Sequence, residues 1–427
     1  MLNLVLSNAY IQSEFPFFLF WVKKMSILDL ISNKEEWLKF QEYKVLKGHL
    51  TKKEQKELEE FISKEKYKSI SLVIKDKEFN FNAPVKKIIN KMGTDKKRIV
   101  YCYNEIESMI LKFITYHLFK YDDKMCDNCF SFRKNYGVKK AIGRIVNHRN
   151  IKNMACYKVD IKNYFNSINI NKLMVMLKEI IDDKQLFVFM EKLLVLDKAN
   201  FDGKIIEEKR GAMAGVPFSP FLANIYLKDL DKYFDDNNIL YARYSDDIIV
   251  FADTLEELEK YKNYINKVIK EKDLLINKEK EFIFNKGEVW NFLGIEYDNG
   301  EVDLSKVTIE KIKGKIRRKA RAIYRWKIRK AADNDKAMRV MTRCFNNKFF
   351  DARDSSDLTW SKWFFPLINT DRGLNVVDEY LQQYLRYICT GKHTKANYRI
   401  RYKQIKDCNY RSLVNEFYKF KKEGPYV

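Results

Sequence analysis

The sequence predicts an α+β fold. Three observations carry the prediction. Short β-branched and aromatic runs flank acidic residues near the middle of the chain and read as hairpin strands. Residues 26–85 read as charged amphipathic helices, and from Ser305 onward the pattern is again helical, and basic. At 427 residues the chain can bury two or three domain cores.

Taken in chain order, residues 15–22 are apolar but too short to span a membrane. Glu14 precedes them and Lys23-Lys24 follows, the wrong polarity for a signal peptide, and Met25 is the expected natural start. Ser32-Asn33 offers a polar cap to a helix that runs through Trp37. Cys156-Tyr157-Lys158-Val159-Asp160-Ile161 is a short strand with an Asp near its end, and residues 162–168 turn into a helix. Gly and Pro punctuate residues 211–220 before a second amphipathic helix. There Ser219 is the expected N-cap and Pro220 the first helical residue. Leu240-Tyr241-Ala242 and Ile248-Ile249-Val250-Phe251 are strands on either side of Tyr244-Ser245-Asp246-Asp247.

Two carboxylates at a hairpin tip repel each other, and nothing in the backbone requires them there. A divalent cation cancels that repulsion, because Mg²⁺ takes carboxylates together with substrate phosphates. Asp160 at the end of a facing strand completes the set that two-metal phosphoryl transfer needs, in which ions about 4 Å apart clamp the attacking and leaving oxygens. The plainer readings are a polar turn for Asp246-Asp247 and a helix N-cap for Asp160.

Together these segments resemble the reverse transcriptases. Asp160 with Tyr164-Phe165, residues 215–224 and Tyr244-Ser245-Asp246-Asp247 are similar to that family's A, B and C motifs, in its order. Leu274–Lys280 is similar to the D motif, and Asn291-Phe292-Leu293-Gly294-Ile295 to the primer-grip hairpin. Lys97-Arg98-Ile99-Val100 and Cys129-Phe130-Ser131-Phe132-Arg133 are similar to the fingers motifs, so the likeness covers about residues 90–300. It implies a right-hand polymerase: an N-terminal helical extension over 1–85, fingers over 86–155, a palm with an antiparallel sheet over 156–300, and a basic helical thumb with an appendage over 301–427. It implies Asp160, Asp246 and Asp247 as catalytic residues, with Ile161 among the metal-holding positions, and two magnesium ions, or manganese in their place. Lys97, Arg98, Phe165, Gly215 and Lys280 would meet the incoming deoxynucleoside triphosphate. Phe165 falls at the sugar gate, where a bulky ring leaves no room for a 2′-hydroxyl; its plainer role is core packing. Lys280 would protonate pyrophosphate. Arg133, Ser219, Pro220, Phe292, Leu293, Gly294, Lys315, Arg318, Arg321 and Arg325 would contact nucleic acid. One departure is Ala214, where many relatives carry a Gln that positions template and nucleotide.

Composition agrees with a polyanionic partner. Lys+Arg 81 against Asp+Glu 58 gives a net charge of +23. Residues 311–330 carry many basic side chains and no acid, with Ile316, Ile323, Tyr324 and Trp326 interleaved, as in a helix that tracks a duplex backbone; a membrane-surface helix is the competing reading. Seven scattered cysteines, of which only Cys126 and Cys129 have CxxC spacing, argue against zinc and for a reduced, cytoplasmic setting. His49, His117, His148 and His393 lack metal spacing.

No nuclease, integrase or Cys/His-rich signature is present. The stretches Trp363-Phe364-Phe365-Pro366 and Tyr410-Arg411-Ser412-Leu413-Val414 resemble those of stand-alone bacterial defence-associated reverse transcriptases, relatives of the abortive-infection and retron enzymes. That implies a structured non-coding RNA bound and copied into DNA, giving an RNA/DNA duplex, in anti-phage defence, with no membrane involved. The alternatives are a template-independent or protein-primed DNA polymerase, a group II intron-like or mobile-element enzyme, and a catalytically dead RNA-binding scaffold.

Overall fold

A computed structural model describes residues 25–46, 50–76, 79–90, 97–351 and 359–424. The apolar run 15–22, its flanking charges and His49 lie outside the described residues. The strands are β1 (Val85–Asn90), β2 (Lys97–Cys102), β3 (Ala155–Asp160), β4 (Lys198–Phe201), β5 (Lys204–Glu207), β6 (Tyr241–Tyr244), β7 (Asp247–Ala252), β8 (Phe282–Phe284), β9 (Trp290–Phe292), β10 (Ile295–Asp298) and β11 (Glu301–Leu304). They form three sheets, ordered β2-β1-β4-β5, β6-β7-β3-β8 and β11-β10-β9.

The sheet β6-β7-β3-β8 positions the site. Its pairings are all antiparallel. Successive side chains on a strand point to opposite faces. On β7, Ile248, Val250 and Ala252 enter one apolar core, while Ile249 and Phe251 enter another. On β3, Ala155, Tyr157 and Val159 join the first core and Cys156 the second. A sheet buried on both faces explains why these strands read as continuous apolar runs rather than alternating ones. The second-core face continues along β3 to Lys158 and Asp160 and, across the ladder, to Asp247, so at one end of the sheet apolar packing gives way to charge.

The first core is roofed by the N-terminal helices. Asn33 Oδ1 accepts from the Glu35 amide at the start of the helix Lys34–Leu46, and Trp37 from that helix stacks on Phe113 with ring centres 4.0 Å apart. The second core gathers β9–β11 and the C-terminal helices. In the helix Lys306–Lys330, Ile312, Ile316, Ala320 and Ile323 are buried at three- and four-residue spacing, leaving the basic residues outside. Ser305 caps that helix by accepting from the Thr308 amide.

Two sequence expectations change. Strands β4 and β5, inside the segment expected to be palm, pair through β4 with β1, so the sheet of the N-terminal segment is built from both sides of residue 156. The helix Ser219–Tyr226 starts at Ser219 itself and is preceded by Phe218 as N-cap; the Ser219 hydroxyl donates to the Met213 carbonyl at 2.7 Å instead of capping. The loop 211–218 folds back on itself, and that carbonyl outcompetes the helix end for the hydroxyl. Among the described residues no helix is long and apolar enough to cross a membrane.

Candidate nucleotidyl-transfer site

The ladder between β3 and β7 sets Asp160 opposite Asp247. Ser245 and Asp246 form the two-residue loop between β6 and β7, with Ser245 at φ 61. A left-handed residue that is not glycine carries strain, which its surroundings must hold. The Ser245 amide donates to Ser131 Oγ at 2.9 Å, and the Asp246 carbonyl accepts from the Ile161 amide at 3.1 Å. The three aspartates and Ile161 therefore meet at one end of the sheet.

Their environment is electrically costly. Burial, then the charges of Asp246 and Asp160, push the Asp247 carboxyl up to about 6. Burial and Asp160 raise Asp246 as well, partly offset by Lys280 and by Arg98 on β2. Asp247 has no hydrogen-bonding partner for its carboxylate among the described residues. Asp160 is 5% exposed and better served: Lys280 Nζ lies 2.5 Å and Asn277 Nδ2 3.1 Å from its oxygens. Burial works against the Lys280 charge, but its hydrogen bond to Asp160 and the three carboxylate charges outweigh that and raise it. Among the described residues no three His, Cys, Asp or Glu side chains could hold an ion unaided. The donor set nevertheless fits divalent cations of the kind whose shell is completed by substrate phosphates, because buried carboxylates that raise one another are short of positive charge.

Beneath the loop lies a buried network that sequence reasoning missed. Arg243, fully buried, pairs with Asp231 at 2.5 Å, and its guanidinium also reaches the carbonyls of Ser245 and Asn224. Tyr241 donates to Asp231 at 3.0 Å. Asn224 Nδ2 donates to the Ser131 carbonyl. The fingers-like stretch 129–133 thus grips the acidic loop through Ser131. Arg133, expected to contact nucleic acid, spends its donors inside the protein: they go to Asp122 and to the carbonyls of Cys126 and Cys129, and its guanidinium lies 3.8 Å from the Tyr136 ring centre. Ser219, with its hydroxyl spent on Met213 and the side chain buried, is likewise closed to an outside ligand.

Phe165 is half-buried beside the site, its ring 5.8 Å from Tyr164 and 6.5 Å from Phe132. Its carbonyl accepts from the Ala212 amide, and Gly211, at φ +55, comes so close that a Cβ would stand 2.6 Å from that oxygen. Gly215 is exposed and packs against β2, where a Cβ would stand 3.0 Å from the Tyr101 carbonyl. Both backbone groups of Ala214 are engaged: its amide by Asn166 Oδ1 and its carbonyl by the Tyr101 amide. Lys97 and Arg98 are exposed on β2. Pro220 lines a cleft of about 400 Å³ with Phe132, Tyr244 and Trp363.

Phe292 is buried, while Leu293 (φ 49) and Gly294 (φ 89) form the tight turn between β9 and β10. Two left-handed residues in succession are what a two-residue hairpin of primed type needs. The Gly294 carbonyl accepts from the Ser305 amide and the Thr308 hydroxyl, fixing the turn to the basic helix. Leu293 and Gly294 line a cleft of about 690 Å³ together with Lys158, Asp247, Lys280, Lys311 and Lys315. Arg318, Arg321 and Arg325 are exposed further along the same helix. Cys129 is buried, which pushes its thiol up to about 12 and keeps it neutral.

Residues 89–297 match the family model described as reverse transcriptase (RNA-dependent DNA polymerase). The retron Ec86 reverse transcriptase of Escherichia coli is 26% identical over 106 residues, 24% of this chain and 33% of that protein, so the chain spans about a third of the curated relative it matches. Among solved structures, a telomerase from Candida albicans in complex with a fragment of telomeric RNA covers 86% of this chain and 71% of its own, at 12% identity and a TM-score of 0.45. An apo telomerase from Candida tropicalis, truncated of its C-terminal domain, covers 53% and 55% at 15% identity, with a TM-score of 0.43.

Proposed function

Residues 89–297 belong to the reverse transcriptase family, and from that premise we propose that the chain is an RNA-directed DNA polymerase that copies a bound, structured non-coding RNA into DNA. The observation that carries the proposal is the register setting Asp160 opposite Asp247, with Asp246 tied to Ile161, at the mouth of a lysine-lined cleft. Asp160, Asp246, Asp247 and the Ile161 carbonyl would hold two divalent cations, magnesium first. Bound there, such ions supply Lewis-acid stabilisation to the attacking and leaving oxygens of an in-line displacement.

The chain's own residues do the rest. Lys97 and Arg98 attract the triphosphate, and the field of Arg98 already reaches Asp246. Gly215 lets the backbone approach the nucleotide closely. Phe165 closes the space beneath the sugar. Lys280, kept charged by Asp160, holds a proton for the departing pyrophosphate. Leu293 and Gly294 seat the end of the growing strand, and Lys315, Arg318, Arg321 and Arg325 follow the duplex backbone. A role in antiviral defence belongs to the same proposal and is supported by the likeness of residues 363–366 and 410–414 to stand-alone defence enzymes.

Extension of a primer annealed to RNA, with magnesium supplied, tests the activity. The unsubstituted chain is expected to extend it, and Asp246→Ala and Asp247→Ala to lose extension by a hundredfold or more, on the order of what removing a transition-state contact costs. Sequencing the RNA and DNA that co-purify with the protein tests the template: one structured RNA with complementary DNA is expected, and random cellular RNA would sink that part. Protection from phage by the intact chain but not by Asp247→Ala tests the defence role.

A further inference from the structure

The cleft beside Asp247 is lined by four lysines, Lys158, Lys280, Lys311 and Lys315, and one carboxylate, Asp247 itself. Lys280 is committed to Asp160. Among the described residues the other three make no ion pair. Lys158 is the unusual member. It sits on β3 two residues before Asp160, hence on the same face, and not on a solvated helix. Its ammonium donates to Asn291 Oδ1 on β9 at 2.8 Å and lies 6.0 Å from the Phe282 ring centre. A half-buried ammonium whose partner is a neutral amide retains unspent donors.

The cleft's shape says which anion it takes. One wall is the Leu293-Gly294 turn, pinned by Ser305 and Thr308; the other is the start of the basic helix, where Lys311 and Lys315 are one turn apart. Lys97 and Arg98 belong to a different sheet. We infer that Lys158 is a positioning residue that binds the terminal phosphodiester of the strand being extended, with Lys311 and Lys315 binding the phosphates behind it. Through Asn291 the same side chain joins the sheet bearing Asp160 to the hairpin that seats the strand, so phosphate binding and carboxylate placement share one contact. The inference rests on the polymerase reading, and its test separates the two.

Binding of a duplex with a recessed 3′ end is measured against salt concentration for the unsubstituted chain, Lys158→Met, Lys158→Arg and the exposed-site variant Lys311→Ala. Lys158→Met is expected to weaken binding roughly tenfold and to lower the slope of log affinity against log salt by about one. Lys311→Ala should lower the slope similarly, and Lys158→Arg should restore it. In primer extension the KM for primer–template should rise in Lys158→Met while the KM for the deoxynucleotide stays put. An unchanged salt slope overturns the inference, as does a rise confined to the deoxynucleotide KM, which would give Lys158 to the triphosphate. Because binding is read without turnover, an unsubstituted chain that extends nothing overturns the polymerase reading alone.

Discussion

At the scale of single residues, Asp247 is sensitive to pH. Its carboxyl, ordinarily near 3.8, is pushed up to about 6 by burial and by two neighbouring carboxylates. The folded state therefore binds the proton more tightly than the unfolded chain. Its contribution to stability is present below about pH 4 and is lost as pH climbs to about 6. Asp247→Asn should raise stability at pH 7 by up to about 3 kcal/mol, read as a higher melting temperature, while abolishing extension. Added magnesium should raise the melting temperature of the unsubstituted chain more than that of the variant. Phe165 makes a separate test: Phe165→Ala should admit ribonucleotides in a competition assay, and unchanged sugar selectivity would leave the ring with packing alone.

At the scale of elements, the loop bearing Asp246 is held from below. Asp231→Ala leaves the Arg243 guanidinium buried without its counter-charge, and such losses cost about 3–5 kcal/mol; denaturant titration should show it. In the C-terminal region, Asp378 explains a stretch that sequence alone could only match by likeness. Its carboxylate accepts from the Tyr410 and Ser412 hydroxyls and from the Leu413 and Val414 amides, closing the start of the helix Leu413–Glu423. Asp378→Ala should cost roughly 2 kcal/mol in a thermal melt. The acidic loop, its facing strand and the basic helix were legible because each is a local pattern: two β-branched runs around a turn, or buried Ile312, Ile316 and Ile323 at helical spacing. The Arg243–Asp231 pair, the Asn166 contacts to Ala214 and Ile99, and the Asp378 cap were not, because their partners come from other segments and no local pattern names them. The internal partners of Arg133 were hidden for the same reason. A basic residue in a matching motif looks available until the carbonyls that surround it are seen.

At the scale of the whole molecule, the proposed binding of a polyanion predicts that the excess of basic residues works through phosphate contacts. Replacing Arg318, Arg321 and Arg325 together with Ala should lower the salt slope of nucleic-acid binding by about 2 to 3, with little change in melting temperature, since all three are exposed. The sheet that carries Asp160 and Asp247 has an apolar core on each of its faces, and its central strands are β3 and β7. Peptide groups there open only when both cores open. In deuterated water the amides of Val159 and Ile248 should be among the slowest to exchange, while those of exposed β1 trade early. A sheet locked on both faces keeps the spacing of Asp160 and Asp247 fixed whatever the outer helices do.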